Sequence, residues 1–211
     1  MTISHMIRRA LAPVSAAARR FGRDERASMS VEAVLVAPML FWAFLATYAY
    51  FDVYRVKNLA LKANYAVSDL LSRELNTIDM DYITGARNLY RYLTRADDTS
   101  WIRVTVVHCS LNCAVSPDAT DEDRELSVDW SRGTDDQPAI SDENLMIYYD
   151  DIIPMIASGE RVIIVETTMD YQPVFAPELT GIGDQTFRDV VMTRPRFAPQ
   201  LCFDGIGCGA S

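Results

Sequence analysis

The most regular feature of the chain is a long uncharged run near its N-terminus. Residues 33–51 read AVLVAPMLFWAFLATYAYF, 19 residues without a charged side chain. As an α-helix this run spans about 28 Å, close to the roughly 30 Å of a bilayer's hydrocarbon core. Tyr48, Tyr50 and Tyr54 gather at its far end, as in an interfacial aromatic belt. The pattern predicts one membrane-spanning helix.

A cleaved secretory signal and a buried core helix are the alternatives to a retained anchor. The region before the run is about thirty residues long, which is long for a signal peptide. The best cleavage candidate, Thr47-Tyr48-Ala49, lies inside the apolar stretch. No polar stripe breaks the run, as it would on a core helix with one exposed face. A retained anchor is therefore favoured.

Apolar residues continue at helical spacing beyond the run to about Leu75. A second helix is predicted at residues 79–94, with Asp79 as its candidate N-cap. A third is predicted at residues 141–157, where Pro154 weakens the end. The membrane helix is thus expected to extend outward as one rod, followed by two shorter helices.

Four later runs are rich in β-branched and aromatic residues, which favour strands. These predicted strands are residues 101–108, 125–130, 161–171 and 187–193. The acidic, turn-like piece at 117–124 predicts a long-looped hairpin between the first two. The expected fold class is α+β, with a basic leader at 1–27, a transmembrane and extended helix at 28–75 and an extracytoplasmic domain with a small antiparallel sheet at 76–211.

Charge is distributed unevenly about the apolar run. Residues 1–27 carry six arginines and two acidic side chains, a balance of +4, whereas residues 52–211 carry 14 basic and 26 acidic side chains, a balance of −12. The positive-inside rule then predicts a single-pass protein of the bacterial inner membrane, with its N-terminus cytoplasmic and its C-terminal domain periplasmic. The acidic body argues against nucleic-acid binding, which needs a basic face.

The four cysteines form two close pairs, Cys109 with Cys113 and Cys202 with Cys208. An oxidising compartment favours disulfides, for which three connectivities are possible. Two local loops are favoured because each pair sits among loop residues. A zinc site built from all four cysteines near His108 is the competing interpretation, although the spacings fit zinc ribbons poorly.

Few residues suggest enzymatic chemistry. A Ser-His-Asp arrangement outside the leader would need His108, and no G-x-S-x-G, P-loop, G-x-G-x-x-G or H-E-x-x-H motif occurs. The acidic residues at 118–123 and the pair Asp150-Asp151 offer oxygen ligands for calcium, but the EF-hand spacing is missing. We therefore predict no catalytic residue, metal or cofactor. A membrane-anchored extracytoplasmic enzyme or ligand-binding module remains the alternative.

Glu32 and Pro38 are unusual for a plain anchor. A carboxylate costs less at the edge of a membrane than at its centre, where insertion scales give about 2.5–3.5 kcal/mol. Glu32 is either an interfacial residue favoured by the helix dipole or a charge that awaits a partner in another subunit. Pro38 removes a backbone donor and clashes with the carbonyl of Val34, which predicts a bend that neighbouring helices can tolerate.

Residues 20–55 resemble the TadE-like family of pseudopilins, which help to assemble tight-adherence (Flp, type IVb) pili. The resemblance rests on the order and spacing of four short pieces. These are Phe21-Gly22-Arg23-Asp24-Glu25-Arg26, Ala27-Ser28, Val31-Glu32-Ala33 and Val36-Ala37-Pro38, followed by the apolar run. Related TadG-like proteins are much longer and carry a D-x-S-x-S metal motif that is absent here, so a TadE- or TadF-type protein is expected.

The resemblance implies a pilin-like domain and a role as a minor pseudopilin or assembly factor. A prepilin peptidase would cut between Ala27 and Ser28, where the family usually has Gly before the cut. The new amine of Ser28 would then pair with Glu32 of an adjoining subunit. The implied partners are the inner membrane, the prepilin peptidase, other pilin-like subunits and the pilus assembly machinery.

Overall fold

The structure is a computed structural model that describes residues 25–113, 124–206 and 208, with 25–28 by their backbone alone. The predicted leader up to residue 24 and the acidic cluster at 118–123 lie outside these residues. The chain divides into two compact units. Residues 25–50 and Phe175–Ile182 belong to the first, and the described parts of Phe51–Val174 and Gly183–Ser211 belong to the second.

The layout is α+β, with a long N-terminal apolar helix and a four-stranded antiparallel sheet. The helices are α1 (Glu25–Ser72), α2 (Met80–Thr94), α3 (Asp142–Tyr149) and α4 (Pro177–Thr180), and a 3₁₀ turn covers Asp150–Ile152. The strands are β1 (Ile102–Leu111), β2 (Glu125–Gly133), β3 (Arg161–Tyr171) and β4 (Gln185–Thr193). All four predicted strands are present, with bounds that differ by up to three residues.

The first two helices follow local signals in the sequence. Helix α1 ends at Ser72, three residues before the predicted end. Helix α2 has the predicted cap, since the Asp79 carboxylate accepts a hydrogen bond of 2.8 Å from the backbone N–H of Tyr82. Arg95 closes α2 in the left-handed region at φ 58°.

The sheet has the order β2-β1-β3-β4, with every neighbouring pair antiparallel. Strands β1 and β2 form the predicted hairpin. In the central register Val104 lies opposite Val165, which in turn lies opposite Val191. Successive side chains of a strand point to opposite faces of the sheet. Apolar side chains therefore lie on both faces of this sheet.

Each face has its own core. One face packs against the outer part of α1 and against α2, and the other packs against α3 and the turn after it. The first core includes Ala60, Val67, Leu71, Ile83, Tyr90, Val104, Trp130, Val165, Leu201 and Phe203. The second includes Val107, Leu126, Leu145, Tyr149, Ile156, Val162 and Ile164. The outer half of α1 is therefore a core helix of the second unit.

The helix predicted at residues 141–157 is shorter than expected. Ser141 caps it as the sequence suggests, but α3 ends at Tyr149 and the following turn ends at Ile152. The ring of Pro154 disfavours helical backbone in the residue before it. Ile153 accordingly takes an extended conformation, with φ −77° and ψ 123°.

Candidate functional site in the N-terminal helix

The first half of α1 is apolar on every side and uncovered. No side chain from Met29 to Phe44 is buried among the described residues, and Met29 and Met39 expose 76% and 73% of their surface. This is the one helix in the described chain that is long and apolar enough to cross a membrane. A soluble protein rarely exposes so large an apolar surface, so lipid or another helix must cover it.

The predicted processing and subunit-interaction residues all lie in this part of α1. Ala27 and Ser28 lie in the first turn, because the helical backbone begins at Glu25. Glu32 is exposed and makes no hydrogen bond or ion pair with any other described residue. Pro38 is accommodated inside the helix, where it leaves the carbonyl of Val34 without its usual donor.

Two polar groups further along the apolar run do have partners. The Thr47 hydroxyl donates to the carbonyl of Ala43 at 2.7 Å. The Trp42 indole Nε1–H donates to the carbonyl of Leu179 at 2.7 Å. The Leu179 contact was not predicted from the sequence. A Trp in the middle of an apolar run is the one signal for it, because its indole N–H needs a hydrogen-bond partner once it is out of water.

The cysteines belong to the second unit. Cys109 is bonded to Cys113, and Cys202 to Cys208, with Cα–Cα distances of 5.6 and 4.3 Å. This agrees with the two local loops favoured from the sequence. The competing four-cysteine zinc site is not formed, because all four sulfurs are taken up in disulfides.

The second unit also contains a buried ionic network that the sequence analysis missed. Glu166 is fully buried, and its carboxylate accepts hydrogen bonds from Arg103 Nε and Tyr149 Oη, each at 2.6 Å, and from Arg188 Nε at 3.1 Å. A Glu in the middle of the apolar run VIIVETT was the available signal, since a carboxylate at a core position needs partners.

The network fixes the protonation of its members. Burial raises the pKa of Glu166, but hydrogen bonds from Arg103, Tyr149 and Arg188 outweigh burial and hold that pKa below its usual range. Burial and the adjacent Glu166 charge raise the pKa of Tyr149. Glu166 is therefore ionised and Tyr149 neutral at pH 7. Tyr149 lines an open cleft of about 520 Å³, together with Arg103, Arg188, Ile140 and Val190.

The remaining polar candidates have structural partners. His108 Nδ1 lies 2.8 Å from Asp129 Oδ1, and the other oxygen of Asp129 lies 3.3 Å from Arg161 Nε. Asp150 pairs with Arg124 at 2.9 Å. Within the described part of the chain, no group of three or more His, Cys, Asp or Glu side chains is placed to hold a metal ion.

The fold and the apolar helix together define a chain with one candidate membrane span near the N-terminus and a disulfide-bonded α+β domain. No protein-family model, curated protein or solved structure matches it.

Proposed function

We propose that this protein is a minor pseudopilin or assembly factor of a tight-adherence (Flp, type IVb) pilus, of the TadE-like kind, held in the inner membrane by α1. Its action is helix association rather than chemistry. The first half of α1 packs with the helices of other pilin-like subunits, and the outer domain supplies a docking surface. Its N-terminus is cytoplasmic and its domain is periplasmic.

The observation that carries the proposal is the combination of a largely exposed apolar helix with a carboxylate that has no partner among the described residues. Lipid tails cover apolar side chains but offer a carboxylate no charged or hydrogen-bonding partner. A second helix with a cationic group near the membrane edge satisfies both requirements. The amine that cleavage before Ser28 would create is such a group, and the resemblance at residues 20–55 supplies the reason for cleavage there.

Two further features support a cytoplasmic N-terminus and a periplasmic domain. The +4 leader and the −12 body lie on either side of the apolar run, as the positive-inside rule requires for a cytoplasmic N-terminus. The two disulfides lie on the acidic side, where a periplasmic location supplies oxidising conditions. Both features favour the same orientation.

Cleavage is tested by the intact mass of the protein purified from cells with and without a prepilin peptidase. The expected result is a chain that begins at Ser28 only when the peptidase is present. An unprocessed chain in both strains would contradict the proposed maturation. A chain cut after Ala49 in both strains would instead indicate a cleaved secretory signal and contradict the retained anchor.

The role of Glu32 is tested by Glu32→Gln, which keeps the shape of the side chain and removes its charge. We expect at least a tenfold loss of pilin-like subunits that co-purify with the protein, and a loss of piliation. Glu25→Gln is the matched control, because Glu25 lies in the same first turns of α1 but before the predicted cut. Unchanged recovery with Glu32→Gln would refute charge pairing.

A further inference from the structure

The connection between β3 and β4 lies against the membrane helix. Its residues Phe175–Ile182 form one compact unit with the first half of α1. The rings of Phe175 and Tyr48 meet edge to face, with centroids 5.7 Å apart. The carbonyl of Leu179 accepts the 2.7 Å hydrogen bond from Trp42.

These two contacts give the connection a direction along the helix. Tyr48 and Trp42 are six residues apart, which is about 9 Å along an α-helix. The connection therefore runs from the level of Tyr48 back towards the N-terminal side of α1.

The composition of the connection suits a lipid boundary. Its side chains are mostly apolar, and Leu179 leaves 49% of its surface exposed although it is in contact with an apolar helix. Glu178 is its single charged residue. An ionised carboxylate is expensive deep in a bilayer and tolerated near its edge, so this residue limits the depth to the headgroup boundary.

Several backbone groups of the connection are already hydrogen-bonded within the protein. Unpaired backbone groups are expensive in lipid, where nothing replaces their hydrogen bonds with water. The N–H groups of Leu179 and Gly181 donate within the connection at 3.0 and 2.7 Å, and Pro177 has no N–H. Trp42 supplies a donor to the carbonyl of Leu179, and Trp is enriched at membrane interfaces.

We propose that the β3–β4 connection, Phe175–Ile182, is a second membrane contact that dips into the outer interface of the bilayer beside α1. This rests on the proposed membrane anchoring by α1.

The test uses single cysteines in the full-length protein, reconstituted in vesicles of phosphatidylethanolamine and phosphatidylglycerol. The native cysteines are all in disulfides, so each variant carries one free thiol. Leu179→Cys probes the connection and Leu35→Cys probes the span. Ile152→Cys is the matched aqueous control, because its parent side chain exposes 52% of its surface in the second unit.

Each thiol is treated with a charged, membrane-impermeant maleimide without detergent. We expect Leu179→Cys to react at least tenfold more slowly than Ile152→Cys, and a fluorophore at residue 179 to be quenched by lipids spin-labelled near the headgroup. Equal rates at 179 and 152 with a protected residue 35 would overturn the second contact and leave the anchor intact. A reactive residue 35 would overturn the anchor itself.

Trp42→Phe gives an independent check, because it keeps an aromatic ring and removes the indole donor. Combined with Leu179→Cys, it should raise the maleimide rate at residue 179 by several fold, since the carbonyl of Leu179 is then unpaired in lipid. An unchanged rate would show that the hydrogen bond does not hold the connection at the membrane.

Discussion

Glu166 illustrates how one buried side chain can depend on several others. Glu166→Gln keeps the size of the side chain but leaves two guanidinium groups without their counter-charge. We expect the free energy of unfolding at pH 7 to fall by about 3 kcal/mol, as when one partner of a buried ion pair is removed. The measurement is urea unfolding in mild detergent, followed by circular dichroism.

The same variant has a defined pH dependence. The pKa of Glu166 is lower in the folded protein than in the unfolded chain. The ionised side chain therefore makes its full contribution to the free energy of unfolding above the unfolded pKa of about 4.3. That contribution is lost as the pH falls from there through the folded pKa. The difference between wild type and variant should therefore shrink below about pH 4. Glu160→Gln, at an exposed ion pair with Arg194, should show little effect at either pH.

Asp189 behaves in the opposite way. Burial raises its pKa, and Lys57 offsets this only in part, while one carboxylate oxygen is buried without a hydrogen bond among the described residues. Its ionisation therefore costs stability at neutral pH. Asp189→Asn should raise the free energy of unfolding at pH 7 by about 1 kcal/mol, the low end for an unpaired polar group, because the carboxyl is partly exposed.

The stability gained by Asp189→Asn should vanish below about pH 3.8, because the wild-type carboxyl is then protonated in both the folded and the unfolded chain. Thermal unfolding of the two proteins at pH 3 and pH 7 measures it. Asp184→Asn, at an exposed position just before β4, is the control and should leave the unfolding temperature unchanged. A less stable Asp189→Asn at pH 7 would show that the carboxylate has a favourable role.

Helix α1 is attached to the sheet by a polar side chain as well as by its apolar face. The Asn64 amide donates to the carbonyls of Val165 in β3 and Asp189 in β4, at 3.3 and 3.0 Å. Asn64→Ala should lower the free energy of unfolding by about 2 kcal/mol, because it removes two hydrogen bonds between α1 and the sheet. Asn58→Ala is the control, because Asn58 lies on the exposed side of α1, and it should leave the free energy of unfolding unchanged.

Most elements were predictable because their signals are local. Strand β3 has the predicted bounds, since RVIIVETTMDY combines β-branched residues with clear ends. The cap of α2 was visible in Asp79 for the same reason. The end of α3 was misjudged because apolar residues at 152–156 continue a helical pattern that the backbone preference before Pro154 overrides.

The contacts between distant elements were not predictable. Glu166 meets Arg103, Tyr149 and Arg188 only after β1, β3, β4 and α3 have assembled, and no spacing along the chain encodes that meeting. The contact of Trp42 with Leu179 joins residues 137 positions apart. Sequence patterns gave Glu32, Pro38 and the cysteine pairs as candidates, because those depend on residue type within a short segment.

The whole chain carries its cysteines on one side of the apolar run, which makes the redox state a test of the compartment. We expect no thiol to react with an alkylating reagent in protein taken directly from cells and denatured without reductant. Four thiols should react after reduction. The double variant Cys202→Ser, Cys208→Ser should have two thiols that react after reduction. Thiols that react before reduction would contradict a periplasmic domain.

The core of the second unit also constrains the order in which it can be completed. The buried face of α1, at Val67 and Leu71, packs in the same core as Leu201 and Phe203. Those partners are synthesised about 130 residues later, which at 5–20 residues per second is roughly 6 to 26 s. During that interval the buried face of α1 is covered only in part, by earlier core residues such as Ile83 and Tyr90. If the domain is exported as proposed, a holding chaperone or the membrane surface would cover that face until the last core residues arrive.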